Sequence, residues 1–564
     1  MGAAGSLIAP QTLVLAPSAL LGAAAVLGWL LWLRGRNAAR WVAAAAAWLA
    51  LLVLVAGWAA AGRVTVELNL PGSIAGAPLA LRMDAISVAF GLVVLLPTAL
   101  LFTFQPRSGG QASLAALATS AALLATACGS VLLTAVTLGT CAGLVLLALR
   151  AEEDRPVPGY WISLAGAWLL LLWGGTVLEV TGGTSVYSAA PVTALRVPVF
   201  LLLAVAGLLC SGLLPWPTWL SGMWTRGCLE AGATAVTLLV PLGFLLLTRA
   251  YVLGAGHWPS PILNLLLAAL GAATAVAAAL RAQASADRPA FLGETVIVAS
   301  GLALMALAIG TPLGVSAAVL TLLGSALVIG LVPALSAMRR PAAAVGAVLA
   351  VGVPPSLAFG GRVVALQSGV EAGAAFGFLA LAGLGAWLLT VACLPRFVRL
   401  EGTDDPDPGS RGAAYLGLAL GLFAGVGLGV LDTLVAVPVA QESMGSAASA
   451  LTGSFTTVVT ASGGWGALTL GSPLLILVLV AALLTRSTWS RELLRTVGAE
   501  QPPPLFELPA FRPIGRLALR LKALALPGQY RSLLDPRALE AAATSGRPWF
   551  WAAVTLVLVV AVTR

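Results

Sequence analysis

Apolar runs of about twenty residues recur from one end of this chain to the other, the length an α-helix needs to cross a bilayer. They fall near Thr12–Leu33, Trp41–Ala61, Ala85–Phe104, Ala112–Thr126, Ser130–Leu149 and Tyr160–Val180. Others follow near Val197–Leu214, Ala233–Leu253, Pro261–Leu280, Phe291–Ile309 and Leu313–Ala337. The last are Pro341–Val353 with its continuation, Ala374–Leu394, Ala413–Leu431, Pro473–Leu484 and Trp549–Val562. Two stretches break the pattern. Arg63–Asp84 alternates short apolar and polar runs around PGSIAGAP, the pattern of a β-hairpin on the outer face. Arg512–Leu526 sets Arg516 and Arg520 four apart among leucines, which predicts an amphipathic helix along the inner surface. The predicted fold is all-α and polytopic, with about 14–16 transmembrane helices.

Charge placement gives an independent check on the topology. With the amino terminus outside, the inside loops hold Arg34, Arg36, Arg40, Arg107, Arg150, Arg155, Arg281, Arg288, Arg339, Arg340, Arg396 and Arg399. The stretch from Asp432 to Ser472, read as an outer loop, has neither Lys nor Arg. That asymmetry follows the positive-inside rule and points to a multi-pass protein of a bacterial-type cytoplasmic (inner) membrane.

Composition removes whole classes of function. With 60% hydrophobic and 9% charged residues, the chain cannot cover itself in water. The net charge of +9 sits in short loops and between Arg486 and Arg547, beside apolar spans. That suits lipid headgroups; there is no basic stripe interleaved with aromatics for nucleic acid. Cys128, Cys141, Cys210, Cys228 and Cys393 are scattered without a CxxC pair, so no metal or thiol-redox centre is expected. No nucleophile–base pair stands out, and no cofactor site is expected.

Two apolar runs end alike. Ala204–Gly222 (AVAGLLCSGLLPWPTWLSG) and Ala347–Gly361 (AVLAVGVPPSLAFGG) each pass through Gly to prolines, at Pro215 and Pro217 and at Pro354 and Pro355. Paired, Gly/Pro-interrupted spans in two halves of a chain point to an inverted-repeat transporter fold. Around them the chain resembles the antiporter-like, proton-conducting membrane subunits shared by complex I, membrane-bound hydrogenases and multisubunit cation/proton antiporters. The likeness is carried by Leu79–Leu101, with Asp84, Ile86 and Ser87 at a span start, by Leu213–Leu220 (LLPWPTWL), and by Ala350–Leu366 (AVGVPPSLAFGGRVVAL).

The resemblance implies two inverted five-helix repeats, each with a broken helix. The chain would then divide into N-terminal helices with the outer hairpin (1–110), a first repeat (111–232), a connecting span with the second repeat (233–394), C-terminal spans with an outer loop (395–485), an inner-face segment (486–546) and a final transmembrane helix (547–564). It also implies a chain of membrane Glu, Lys and His residues that carries protons, and here the sequence departs from the family. Its single lysine, Lys522, lies in the predicted surface helix, and its single histidine, His257, lies in an outer loop. The family's Lys at the first break falls at Cys210, its first-repeat Glu near Gly139, and its second-repeat Lys near Pro289. Ionisable groups remaining near membrane depth are Glu230, Glu294, Glu179 and Arg249, with Arg362 and Asp432 at span ends. Intramembrane charges are candidate ion-pathway groups by default.

The expected role is therefore a subunit of a complex-I-like or hydrogenase-like assembly, with its usual pathway largely lost and its role partly or wholly structural. Its expected partners are other membrane and peripheral subunits and the lipid bilayer. The alternatives are a membrane partner of a non-redox ion- or carbon-uptake system and a stand-alone secondary transporter.

Overall fold

A computed structural model describes residues 10–445 except 36–37, 75, 105–108, 153–159, 214–217, 225–228, 286, 338–339, 355 and 398–407, together with three short strands at 452–453, 457–460 and 463–466. Pro215, Pro217, Pro355, the amphipathic helix at Arg512–Leu526 and the two last expected spans lie outside the described residues.

The chain opens with α1 (Pro10–Leu33) and α2 (Ala39–Ala60), then the hairpin of β1 (Val66–Ile74) and β2 (Ala77–Met83). The strands pair antiparallel from Val66↔Met83 to Ile74↔Ala77, with a bulge between Leu70 and Ser73. Next come α3 (Ala85–Phe104), α4 (Gly109–Thr126), α5 (Val131–Glu152), α6 (Tyr160–Gly182) and the broken pair α7 (Val197–Ser211) and α8 (Thr218–Gly222). After α9 (Leu229–Leu253), α10 (Pro261–Ala284), α11 (Arg288–Ile309) and α12 (Pro312–Ala337) comes a second broken pair, α13 (Arg340–Val351) and α14 (Leu357–Glu371). The described helices end with α15 (Ala374–Ala392), α16 (Leu394–Phe397), α17 (Pro408–Val426), α18 (Leu428–Leu431), a π-helical turn (Asp432–Ala436) and α19 (Val437–Met444). The strands β3 (Thr452–Gly453), β4 (Thr457–Thr460) and β5 (Gly463–Gly466) form a small meander.

Ten described helices are long and apolar enough to cross a membrane, or eleven if the bent pair after Tyr415 counts as one span. The chain is an integral, multi-pass membrane protein. Burial sorts the spans: α9, α11 and α12 are buried throughout and α3 nearly so, whereas α6 and α15 bury a third of their spans. The first group forms the centre; the second turns side chains such as Trp173 and Phe378 outward, where lipid would meet them. Hydrocarbon supplies no hydrophobic drive between helices, so close packing of small residues takes its place. Where α10 meets α11, a Cβ on Gly271 would run into the Gly301 carbonyl.

The two breaks are the same turn built twice. In the first, Gly212 N–H donates to Leu209 O and Leu213 N–H to Leu208 O; in the second, Gly352 N–H donates to Leu349 O and Val353 N–H to Val348 O. Both patterns are Schellman caps, which need a left-handed residue after the helix. Gly212 (φ 63°) and Gly352 (φ 74°) supply it without a Cβ penalty. Since α7 sets out from the hairpin face and α13 from the opposite one, the two breaks run in opposite directions.

The bent span near the end of the described helices runs well past its expected end. The span expected to end at Leu431 bends by 78° after Val426 and continues as helix to Met444. Asp432, expected to open an outer loop, is instead buried inside that helix.

Candidate functional site

The densest group of buried charge lies where the hairpin runs into α3. Asp84 is the residue before α3, and its Oδ1 accepts from Ser87 N–H at 2.8 Å, capping the helix start. Ser87 Oγ donates to Arg82 O at 2.8 Å, which fixes the last residues of β2 against the same turn. The carboxylate then meets Arg249, near the end of α9, in a two-point pairing. Arg249 Nη1 donates to Oδ2, and Nη2 donates to Oδ1 at 3.0 Å and to Ser87 Oγ at 2.9 Å. Arg82 Nε lies 2.9 Å from Oδ2, an ionic contact rather than an aligned hydrogen bond. Its other nitrogens reach Glu442 on α19 and, at 3.8 Å, the half-exposed Glu67 on β1.

The inner members of this cluster balance: two guanidinium groups face the carboxylates of Asp84 and Glu442. Burial raises the Asp84 pKa, but Arg249, Arg82 and the Ser87 amide outweigh it and hold the carboxyl below its ordinary value of 3.8. The guanidinium of Arg249 also lies over the Tyr187 ring, 5.4 Å from its centroid. Thr134 Oγ1 donates to Ser130 O, so the Tyr187 hydroxyl is left to donate to Thr134 across 3.1 Å. Burial pushes the Tyr187 phenol up to about 12, which keeps it a donor. The arrangement joins β1, β2, α3, α9 and α19 by charge pairs of high sequence separation. Chemically it is a clamp, because the charges of Asp84 and Arg249 are already paired with each other.

The other expected site residues are dispersed. Glu294 on α11 is buried, and Arg281 Nε stands 3.1 Å from each of its oxygens at the face away from the hairpin. On that face Asp287 caps α11 through the Ala290 amide, and Arg288 lies over the Phe397 ring. Glu179 accepts from Ser185 N–H at 2.6 Å and closes the loop after α6. Glu230 is in the first turn of α9. Arg249, Glu294 and Glu179 therefore do not form one continuous row.

At the first break, Cys210 is buried and its thiol donates to Leu239 O at 3.2 Å. Trp219 Nε1 donates to Leu209 O at 3.0 Å, and Tyr160 packs edge-on against the Trp219 ring. Gly139 lies under the partly exposed Trp168 indole, whereas Leu138 and Cys141 beside it are fully buried. Pro289 is buried in the first turn of α11. At the second break, Pro354 is in the turn, Trp387 Nε1 donates to Val351 O at 2.9 Å, and the buried Arg362 donates to Val351 O and, at 3.0 Å, to Ala350 O. A cation on the last carbonyls of a helix answers both its open hydrogen bonds and its dipole. The sequence marks Arg362 only as a charge near a span end; its role as a cap depends on the fold of the turn.

No protein-family model and no curated protein matches the sequence. Solved structures do. A chain of the Mrp complex from Dietzia sp. DQ12-45-1b superposes with a TM-score of 0.71 at 22% identity, over 97% of this chain and 63% of that one. The present chain thus spans less than two thirds of that chain's length. A chain of the membrane-bound sulfane sulfur reductase, an archaeal respiratory membrane complex, gives 0.70 at 16% identity over 98% of this chain and 100% of that one. A chain of respiratory complex I from Thermus thermophilus gives 0.64 at 20% identity over 77% and 99%. At such identities the likeness is one of fold: the chain has the all-helical, polytopic fold of these membrane-complex chains.

Proposed function

We propose that the chain is an antiporter-like membrane subunit of a larger assembly of the Mrp, complex I or hydrogenase type, in which the usual proton path is largely lost and the role is partly or wholly structural. The observation that carries this reading is the pairing of kept architecture with missing charge. Both breaks are built, yet the first is lined by Cys210 and Trp219, and Arg249 is committed to Asp84. An intramembrane proton relay needs ionisable side chains within reach of one another. Here Glu294 and Glu179 each serve a local contact instead. The guanidinium groups of Arg281 and Arg288 on the face opposite the hairpin support a cytoplasmic side there, and hence an outside amino terminus in a bacterial-type cytoplasmic membrane. The test is purification from native membranes in mild detergent, with mass spectrometry of what stays bound. Further antiporter-like or redox subunits in fixed ratio are the expected result. A chain that runs alone, or with one non-redox soluble partner, would sink the assembly reading.

A further inference from the structure

Asp432 is a buried carboxylate that neither the clamp nor the breaks use. It opens the π-helical turn Asp432–Ala436, just past the 78° bend, and is 1% exposed. Neither Oδ1 nor Oδ2 has a hydrogen-bond partner among the described residues. A π-turn inside an α-helix shifts the backbone bonding by one residue, and such turns concentrate at functional sites. Interruptions of membrane helices are also where coupling ions are held in many transporters.

Among the described residues, the elements packed against the turn supply no counter-charge. The turn packs against α3, α12, α18, α19 and β3. Of these, α3, α12, α18 and β3 carry no titratable side chain, and the carboxylate on α19, Glu442, is further along the helix and already paired with Arg82. A bare carboxylate among apolar groups is strongly disfavoured, so something must neutralise it. Among the described side chains nothing does.

We propose that Asp432 binds a monovalent cation, a proton or a sodium ion, at the π-helical turn, so that the buried site carries no net charge in the folded protein. The shared chemistry is neutralisation of one buried carboxylate. The site follows from this chain's own geometry and stands whichever assembly the chain belongs to.

Infrared difference spectra of the full-length chain in lipid nanodiscs test it, comparing wild type with Asp432→Asn in sodium chloride or choline chloride. The expected result is a protonated-carboxyl C=O band in both salts that shifts in D2O and is missing from Asp432→Asn. A carboxylate band that moves between choline and sodium, and only in wild type, also supports the site, with sodium as the ligand. A band assigned to Asp432 that is ionised and insensitive to both pH and sodium overturns the proposal. Asp432→Glu keeps the carboxyl group and shifts the band, so the assignment survives should the Asn variant fail to fold.

Discussion

Asp84 illustrates what this core demands of a charge. It is fully buried, yet it caps α3, meets Arg249 at two points and touches Arg82. Removing one partner of such a pair leaves the other uncompensated, at a cost of about 3–5 kcal/mol. Arg249→Leu should therefore lower the melting temperature in detergent sharply. The double variant Asp84→Leu/Arg249→Leu should recover much of that loss, a coupling that a double-mutant cycle reads directly. Equal and additive losses would show that the pairing contributes nothing. Because the folded pKa of Asp84 is depressed, its contribution is fully present above the ordinary value of 3.8 and is lost as pH falls through the lower folded value. Melting should then be insensitive to Asp84→Asn substitution only at strongly acid pH, while near neutrality the variant melts lower. Of this cluster the sequence exposed Asp84 and Ser87, which stand at a recognisable span start, and marked Arg249 as a candidate ion-pathway group rather than as their partner. It could not show that Arg82 meets Glu442, because 360 positions separate them and only the path of α19 brings them together.

At the scale of elements, the breaks were legible because Gly and Pro punctuate an apolar run and do so twice. What the residue pattern could not reveal was how the freed carbonyls are answered. Trp219 serves Leu209 and, with Arg362, Trp387 serves Val351, in each case from a helix beyond the turn. Trp387→Phe should cost about 1 kcal/mol, the usual net value of one hydrogen bond. Gly352→Ala should cost more, about 1–3 kcal/mol, because it strains a left-handed position and its Cβ would stand 2.9 Å from Arg362 Nη1. Thermal melts of the two variants in one detergent check the order; Gly352→Ala as stable as wild type would refute the strained turn. The π-helical stretch shows the opposite limit. A lone Asp after Leu431 ends an apolar run on paper, so the sequence placed a loop where the helix goes on.

Across the whole molecule, a buried centre of α3, α9, α11 and α12 is wrapped by helices with lipid-facing sides, and the hairpin is locked to that centre by charge pairs. The span pattern and the paired breaks made this architecture readable, since each is a local signal repeated along the chain. The proposed loss of the path rests on a resemblance, in which Cys210, Gly139 and Pro289 stand where charge was expected. A cation at Asp432 does not restore the path, because one site is not a relay. The most direct test is proton flux into liposomes holding only this chain, driven by an imposed potential and followed with a trapped pH dye. Flux equal to that of protein-free liposomes, unchanged by Glu294→Gln, is the predicted result. Robust flux that Glu230→Gln or Glu294→Gln abolishes would contradict a lost pathway and make the chain a conductor in its own right.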